Sequence, residues 1–230
     1  MQTETCVFDA YGTLFDVDAA ARAVAGAPGG EALAACWERV AANWRLKQLS
    51  YTWLRGLARA HVDFWTVTRD ALDWTLEAEG LADPELRDRL LALYWELPAY
   101  PEVPATLEAL AAQGCRLAIL SNGSPDMLRG AIEAAGLQGA FAAVISVEEV
   151  GVFKPDPRVY RLIGAQLDTA PEKVLYASAN GWDAACATGF GLRTAWINRT
   201  GAPAERLPWR PAHELPDLGK LPGLTGRKGG

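Results

Sequence analysis

Short apolar runs alternate with helical patterns through the second half of the chain. The runs cover residues 116–120, 143–146, 174–177 and 194–197, and a further run at residues 5–8 lies near the first residue. Each is the length of a buried strand and is bounded by turn-forming residues. Strands that alternate with helices form βαβ units, which give a parallel sheet with helices on both faces. The pattern therefore predicts an α/β fold.

A block without strand signals separates the first run from the others. Apolar residues recur there at three- and four-residue steps, and helices are predicted at residues 31–60, 63–79 and 83–97. We therefore predict a doubly wound parallel, Rossmann-like sheet with an inserted all-helical cap. The predicted boundaries are residues 1–16 and 98–220 for the core, 17–97 for the cap, and 221–230 for a disordered glycine- and lysine-rich tail.

The composition is that of a globular protein, with 50% hydrophobic and 22% charged residues. A net charge of -6 without a basic run in the body of the chain argues against a nucleic-acid surface. No secretory signal is visible, and no apolar stretch reaches the roughly 18 residues of a membrane span. The four cysteines are scattered, as expected for reduced thiols. We therefore predict a cytoplasmic protein that binds neither nucleic acid nor a membrane.

Polar residues follow the predicted strands at their carboxyl ends. Asp9 follows the first, Ser121 and Asn122 end the second, Lys154 lies in the loop after the third, and residues 178–183 follow the fourth. In an open parallel sheet these ends meet at one edge, where ligands bind. We therefore expect these segments to converge on one crevice beneath the cap.

Asp9 is the candidate nucleophile of this crevice. A carboxylate can form a covalent ester with an electrophilic centre and so divide one difficult step into two. The positive charge of Lys154 would keep Asp9 ionised. Ser121, with the backbone N–H groups around it and those after Asp9, could hold an anionic group of a substrate.

These segments together resemble a known family. The stretches FDAYGTL (residues 8–14), SNGS (121–124), KPD (154–156) and SANGWD (178–183) are similar, in order, to the four motifs of the haloacid dehalogenase superfamily. Within it the chain resembles the L-2-haloacid dehalogenases, because WRLKQL (44–49), YTWLR (51–55) and WINRTG (196–201) match as well. The resemblance covers residues 5–200, cap included. One departure is Ala179, where the family pattern has a second serine.

Most members of that superfamily are phosphatases, so the subclass needs an argument. Phosphatases of this type have a second aspartate two positions after the nucleophile as general acid, and that position here is Tyr11. They also bind Mg²⁺ through acidic residues after the fourth strand, where Asp183 is the one carboxylate. A departing halide needs no proton, so a missing general acid fits a dehalogenase.

The resemblance implies a two-step hydrolysis. Asp9 attacks C2 of an L-2-haloalkanoic acid, expels halide and inverts C2, and water then attacks the carboxyl carbon of the resulting ester. The product is a D-2-hydroxyacid. Asp183 is the expected base or water-orienting group. The predicted catalytic residues are Asp9, Thr13, Lys154, Ser178, Asn180 and Asp183, with Thr13 positioning an Asp9 oxygen and with Ser178 and Asn180 orienting Asp183, Lys154 and water.

The resemblance also implies a halide cradle and an apolar wall. Arg45 and Asn122 are the expected halide ligands. The predicted substrate contacts are Ala10, Tyr11, Arg45, Leu49, Phe64, Ser121, Asn122, Tyr160 and Trp182. A guanidinium among aromatic edges suits a polarisable anion. The family further implies a homodimer, with no cofactor and no metal.

Two alternatives stay open at this point. The first is a Mg²⁺-dependent phosphatase of the same superfamily, which would hydrolyse a phosphate ester and stop with a chelator. The second is a non-catalytic binding protein on the same fold, which would bind 2-haloacids without releasing halide. The sequence leaves chain length, halogen preference and the physiological substrate open.

Overall fold

The computed structural model describes residues 2–226, and within them one six-stranded parallel sheet organises the chain. The strands are β1 (Thr5–Phe8), β2 (Arg116–Ser121), β3 (Ala143–Ser146), β4 (Val174–Ser178), β5 (Arg193–Ile197) and β6 (His213–Leu215). Their order across the sheet is β3-β2-β1-β4-β5-β6. The predicted α/β fold is confirmed, and β6 is a strand that the sequence analysis did not predict.

Strand β1 lies at the point where the strand order reverses. Phe8 pairs with Ile119 of β2 on one side and with Ala177 of β4 on the other. All four residues of β1 are buried. The residues that follow β1, β2 and β4 therefore emerge side by side at one edge of the sheet, where open α/β folds bind ligands.

Six helices lie between β1 and β2 in the described residues, and the first five of them form the segment that was predicted to be all helical. These five are α1 (Ala19–Ala25), α2 (Glu31–Ala34), α3 (Trp37–Ala58), α4 (Phe64–Ala78) and α5 (Pro84–Trp95). The single helix predicted over residues 31–60 is wrong, because Cys36 has a non-helical φ of -142° and separates α2 from α3. A buried amide crosses this bundle: Gln48 Nε2 of α3 donates to Thr68 Oγ1 of α4 and to Tyr94 Oη of α5.

Four further helices connect the strands of the core. They are α6 (Val103–Ala112), α7 (Pro125–Ala134), α8 (Pro157–Leu167) and α9 (Gly181–Phe190). Helices α7 and α8 begin where a capping side chain precedes a proline: Ser124 Oγ accepts from the N–H of Met127, and Asp156 Oδ1 from that of Arg158. Right-handed crossovers place α6 and α7 on one face of the sheet and α8 and α9 on the other.

Residues 218–226 pack against the core. A 3-10 helix spans Leu218–Leu224, and Leu218, Leu221 and Thr225 are buried. The predicted disorder is therefore wrong for residues 221–226, because their apolar side chains cover the sheet next to α6. Residues 227–230 of the predicted tail lie outside the described residues. Over residues 2–226, no helix has the length and apolarity needed to span a bilayer.

Candidate active site

The carboxylate of Asp9 lies at the end of β1 with hydrogen-bond donors on both oxygens. Thr13 Oγ1 donates to Oδ2 at 2.9 Å and Asn180 Nδ2 donates to the same oxygen at 3.0 Å. Lys154 Nζ donates to Oδ1 at 3.0 Å. Asp9 is 6% exposed. These contacts fix the orientation of a nearly buried carboxylate, as a nucleophile requires.

Lys154 is buried within this centre, with 1% of its side chain exposed. Its Nζ donates to Asp9 Oδ1 at 3.0 Å, to Asp183 Oδ2 at 3.1 Å and to Tyr176 Oη at 2.6 Å. An ammonium has three N–H donors, so all of them are used. Burial lowers the pKa of Lys154, but Asp183 and Asp9 raise it by more, so the net pKa lies above its ordinary value. Lys154 is therefore charged at neutral pH.

Asp183 also has donors on both oxygens. Tyr160 Oη donates to Oδ1 and Tyr176 Oη donates to Oδ2, each at 2.7 Å. Burial, and then the charge of Asp183, raise the pKa of both tyrosines well above the ordinary value. Both phenols therefore keep their protons and act as donors.

Tyr176 is a residue of this network that the sequence analysis missed. Strand β4 is buried along its whole length, so alternation could not distinguish a core tyrosine from one that faces the site. Of the two tyrosines that contact Asp183, Tyr176 is the one that also contacts Lys154.

Arg45, on α3, connects helices α1–α5 to the Asp9 carboxylate through Asn180. Its Nη2 donates to the backbone oxygen of Tyr11 at 2.8 Å and to Asn180 Oδ1 at 2.9 Å. Because Asn180 in turn donates to Asp9, the Asn180 amide lies between the guanidinium and the Asp9 carboxylate. Gly12 permits this approach, since its φ is +85° and a Cβ there would lie 3.2 Å from Arg45 Nη2.

Three of the predicted polar residues contact backbone rather than the carboxylates. Ser121 Oγ accepts from the N–H of Gly123 at 3.0 Å, and Ser178 Oγ accepts from that of Asn180 at 3.2 Å. Asn122 Oδ1 accepts from the N–H of Lys154 at 3.0 Å. In this structure these side chains therefore fix the loops that carry the reacting groups.

The predicted apolar wall is made of aromatic rings. Tyr11 stacks on Tyr94 with ring centroids 5.8 Å apart and 6° between the planes, and it lies 5.7 Å from Phe64. The indole of Trp182 meets that of Trp53 edge-on at 5.4 Å. A Cβ on Gly123 would lie 2.7 Å from the Tyr11 ring, so a glycine is needed there.

For the two remaining predicted substrate contacts, Leu49 and Ala10, the structure gives a location and a degree of burial. Leu49 is half-buried on α3, one turn after Arg45, and Ala10 is buried directly after Asp9. Ala10 is therefore next to Asp9 in the chain, and Leu49 lies on the same face of α3 as Arg45.

A second connection between α4 and the sheet was also missed. Glu148 follows β3, its Oε2 lies 3.0 Å from His61 Nε2, and its Oε1 accepts from the N–H of Phe64 at 3.2 Å. The His61 ring packs on Phe153, with centroids 4.7 Å apart. Glu148 therefore positions the start of α4, and with it Phe64; a lone glutamate gives no such signal in a sequence.

The arrangement offers little to a metal ion. Over the described residues, 2–226, no three His, Cys, Asp or Glu side chains lie close enough to hold one. Lys154 lies between the two carboxylates, and each oxygen of Asp183 already accepts from a protein donor. A hard divalent ion prefers free carboxylate oxygens, so this donor set fits it poorly.

The comparisons with known proteins agree with this geometry. A family model described as haloacid dehalogenase-like hydrolase matches residues 3–191. The chain therefore belongs to the haloacid dehalogenase-like hydrolases, as the four motifs predicted.

Relatives narrow the class. The chain is 46% identical over 220 residues to (S)-2-haloacid dehalogenase 1 of Pseudomonas sp. (strain CBS-3), with 95% of each chain covered. A crystal structure of a dehalogenase with an intermediate complex matches with a TM-score of 0.92 at 37% identity, and 99% of each chain is covered. The L-2-haloacid dehalogenase of Xanthobacter autotrophicus with chloropropionic acid covalently bound matches at 0.85 and 39%, covering 96% and 98%. Within its family, the chain thus belongs to the (S)-2-haloacid dehalogenases.

Proposed function

We propose that this enzyme hydrolyses L-2-haloalkanoic acids to D-2-hydroxyacids and halide through an ester on Asp9. The observation that carries the proposal is the oriented Asp9 carboxylate, which contacts Thr13, Asn180 and Lys154 and has a guanidinium one amide away. The relative with covalently bound chloropropionic acid supports a covalent intermediate.

In the first step, an Asp9 oxygen forms a bond to C2 as the carbon–halogen bond breaks. The halide leaves with the electron pair of that bond, and C2 is inverted because attack is in line. Arg45 and Asn122 are proposed to receive the halide, and Ser121 with nearby backbone N–H groups is proposed to hold the substrate carboxylate. Lys154 Nζ places a positive charge 3.0 Å from Asp9 Oδ1, next to the attacking carboxylate.

In the second step, water attacks the carboxyl carbon of the Asp9 ester. The bond between that carbon and the ester oxygen breaks, and the alkoxide takes a proton as the D-2-hydroxyacid is released. Asp183 is proposed to orient the water, or to accept its proton, through the network around Lys154. Asn180 and Thr13 would hold the Asp9 oxygen in both steps.

Halide release from L- and D-2-chloropropionate, with and without chelator, tests the proposal. We expect release from the L form alone, unaffected by chelator.

Single turnover in ¹⁸O-labelled water should place label in Asp9, because water attacks the ester carbon. Label in the hydroxyacid after one turnover, with none in Asp9, would show direct attack of water on C2.

The phosphatase alternative has less support. Tyr11 cannot act as a general acid, because burial, and then Tyr94 and Asp9, raise its pKa well above the ordinary value. The oxygens of Asp183 are already used by protein donors. Chelator-sensitive hydrolysis of a phosphate ester, with no halide release, would favour this alternative.

We also propose that α1–α5 form a cap domain over a core of residues 1–16 and 98–220. A further proposal is that the protein is a homodimer in the cytoplasm. Exposed apolar side chains on the cap, Leu46, Leu54 and Trp74, support an interface there. Light scattering after size exclusion tests the dimer, and a monomer mass at micromolar concentration would contradict it.

A further inference from the structure

A cavity of about 480 Å³ lies between α3 on one side and the loop over residues 152–156 with helix α9 on the other. Trp53, Gly56 and Leu57 of α3 line one side, and Phe153, Trp182 and Leu207 are among the residues that line the other. This volume is typical of pockets that bind small molecules. Nothing in the chemistry proposed above for 2-chloropropionate, whose C2 bears one methyl group, needs so much space.

The cavity and the centre around Asp9 have one residue in common, Lys154. Lys154 lines it, and the same side chain donates to Asp9 at 3.0 Å. Trp182, proposed above as part of the wall around the substrate's alkyl group, lines it as well. A group attached at C2 of a substrate on Asp9 would therefore lie close to two residues that border this space, Lys154 and Trp182.

Most residues that line the cavity are apolar, and the charged ones are already paired within the protein. Two of its lining residues carry charge, Lys154 and Asp156. The ammonium of Lys154 donates its three N–H groups to Asp9, Asp183 and Tyr176, and Asp156 pairs with Arg158 at 2.8 Å. The charged groups have partners within the protein, so the cavity is suited to hydrocarbon.

We propose that this cavity holds the alkyl chain at C2, so that the enzyme prefers L-2-haloalkanoic acids with a chain of about three to five carbons there over 2-halopropionates. This inference rests on the proposed function and names its substrate class. Burying one methylene strengthens binding about fourfold. From propionate to hexanoate, three methylenes are added, so we expect kcat/KM to rise by at least about tenfold, mainly through KM.

Gly56 allows a direct test, since a Cβ there would meet nothing within 4 Å. Gly56→Trp adds a side chain at the cavity wall, and Gly56→Ala is the matched control that leaves the space open. Gly56→Leu is a smaller filling variant, should the tryptophan variant fold poorly. Halide release from L-2-bromopropionate and L-2-bromohexanoate is measured for the wild type and each variant.

The proposal predicts that Gly56→Trp lowers kcat/KM for bromohexanoate by about tenfold or more, with bromopropionate within about twofold of wild type. Gly56→Ala should match the wild type on both substrates. An equal loss on both substrates would make the cavity an entry route, and no loss on either would leave it without a role; both results overturn the proposal. A wild type that releases no bromide from either acid contradicts the proposed function instead.

Discussion

The two sides of the active site differ in how their groups are held. On the sheet side, Asp9, Lys154 and Asp183 are almost fully buried, and every charged atom has a protein partner. On the helical side, Arg45 and Leu49 are half-buried, and the contacts are mostly between aromatic rings. Fixed dipoles and charges stabilise the charge distribution of one particular reaction. Apolar walls, in contrast, tolerate side chains or substrates of different size. We infer that the sheet side determines the reaction and that the helical side determines which substrates enter it.

The largest effect expected on the sheet side comes from Asp9→Asn. The variant loses the attacking oxygen anion, so halide release should fall by about 10⁴-fold or more, as for other nucleophile deletions. Asp88→Asn, a change of an exposed carboxylate on α5, is the control and should keep wild-type activity. Halide release within about tenfold of wild type in Asp9→Asn would remove Asp9 from the role of nucleophile.

Lys154→Met should cost both activity and stability. The change leaves Asp9 and Asp183 buried without their shared cation, so we expect a loss of about 3–5 kcal/mol in the free energy of unfolding, with activity near background. The control is Lys173→Met, which breaks an exposed pair with Glu4 and should leave the free energy of unfolding nearly unchanged. Urea denaturation measures both, and equal losses would contradict a special role for Lys154.

Tyr176→Phe tests how far the sheet side depends on the tyrosine found from the structure. The variant removes a donor from Asp183 and leaves one buried N–H of Lys154 without its acceptor, so kcat should fall by about tenfold while KM stays within about twofold. Tyr160→Phe removes the donor to Asp183 alone, so its effect on kcat should be smaller. A change in KM with unchanged kcat would place Tyr176 on the substrate-selecting side.

On the helical side, Phe64→Leu should have a smaller effect. The variant shortens the ring that packs against Tyr11, so KM should rise about three- to tenfold with kcat nearly unchanged. Phe141→Leu, which alters a half-buried ring before β3, is the control. Steady-state kinetics with L-2-chloropropionate separate the two constants, and a loss confined to kcat would contradict the division between the two sides.

The smallest effect concerns alkaline pH. The pKa of Lys154 in the folded protein lies above its ordinary value of 10.5, so its contribution to stability is complete below 10.5 and is lost only as pH rises through the higher folded pKa. Activity and unfolding free energy should therefore show no transition assignable to Lys154 between pH 7 and about 10. Lys154→Met provides the comparison, and a transition in that range present in the wild type and absent from the variant would contradict the raised pKa.

The local part of this fold could be predicted from the sequence, and the part that depends on distant contacts could not. Strands β1 to β5 are short apolar runs with turn signals, and four of the five begin where the sequence predicted. Strand β6 and the helix over Leu218–Leu224 are bounded by prolines and exposed residues, so their order depends on packing against β5 and α6. The break at Cys36 also lacks a glycine or proline signal.

The candidate site shows the same division. Asp9, Lys154 and Asp183 follow strand ends, so the topology of the sheet predicts that they meet. The hydroxyl of Tyr176 and the pair of His61 with Glu148 depend on which way a side chain points, and that is decided by neighbours far away in sequence. Motif spacing therefore found the groups proposed to react, but not all of those that hold them.

The ammonium of Lys154 has two counter-ions, Asp9 and Asp183, and the proposed reaction converts only Asp9 to a neutral ester. At rest, Asp9 and Asp183 carry two negative charges against one positive charge. Once Asp9 becomes a neutral ester, Lys154 and Asp183 remain as a balanced pair. A buried charge without a partner costs free energy. Asp183 therefore balances the charge of Lys154 until water hydrolyses the ester. Replacing Asp183 should therefore slow the second half of the cycle more than the first.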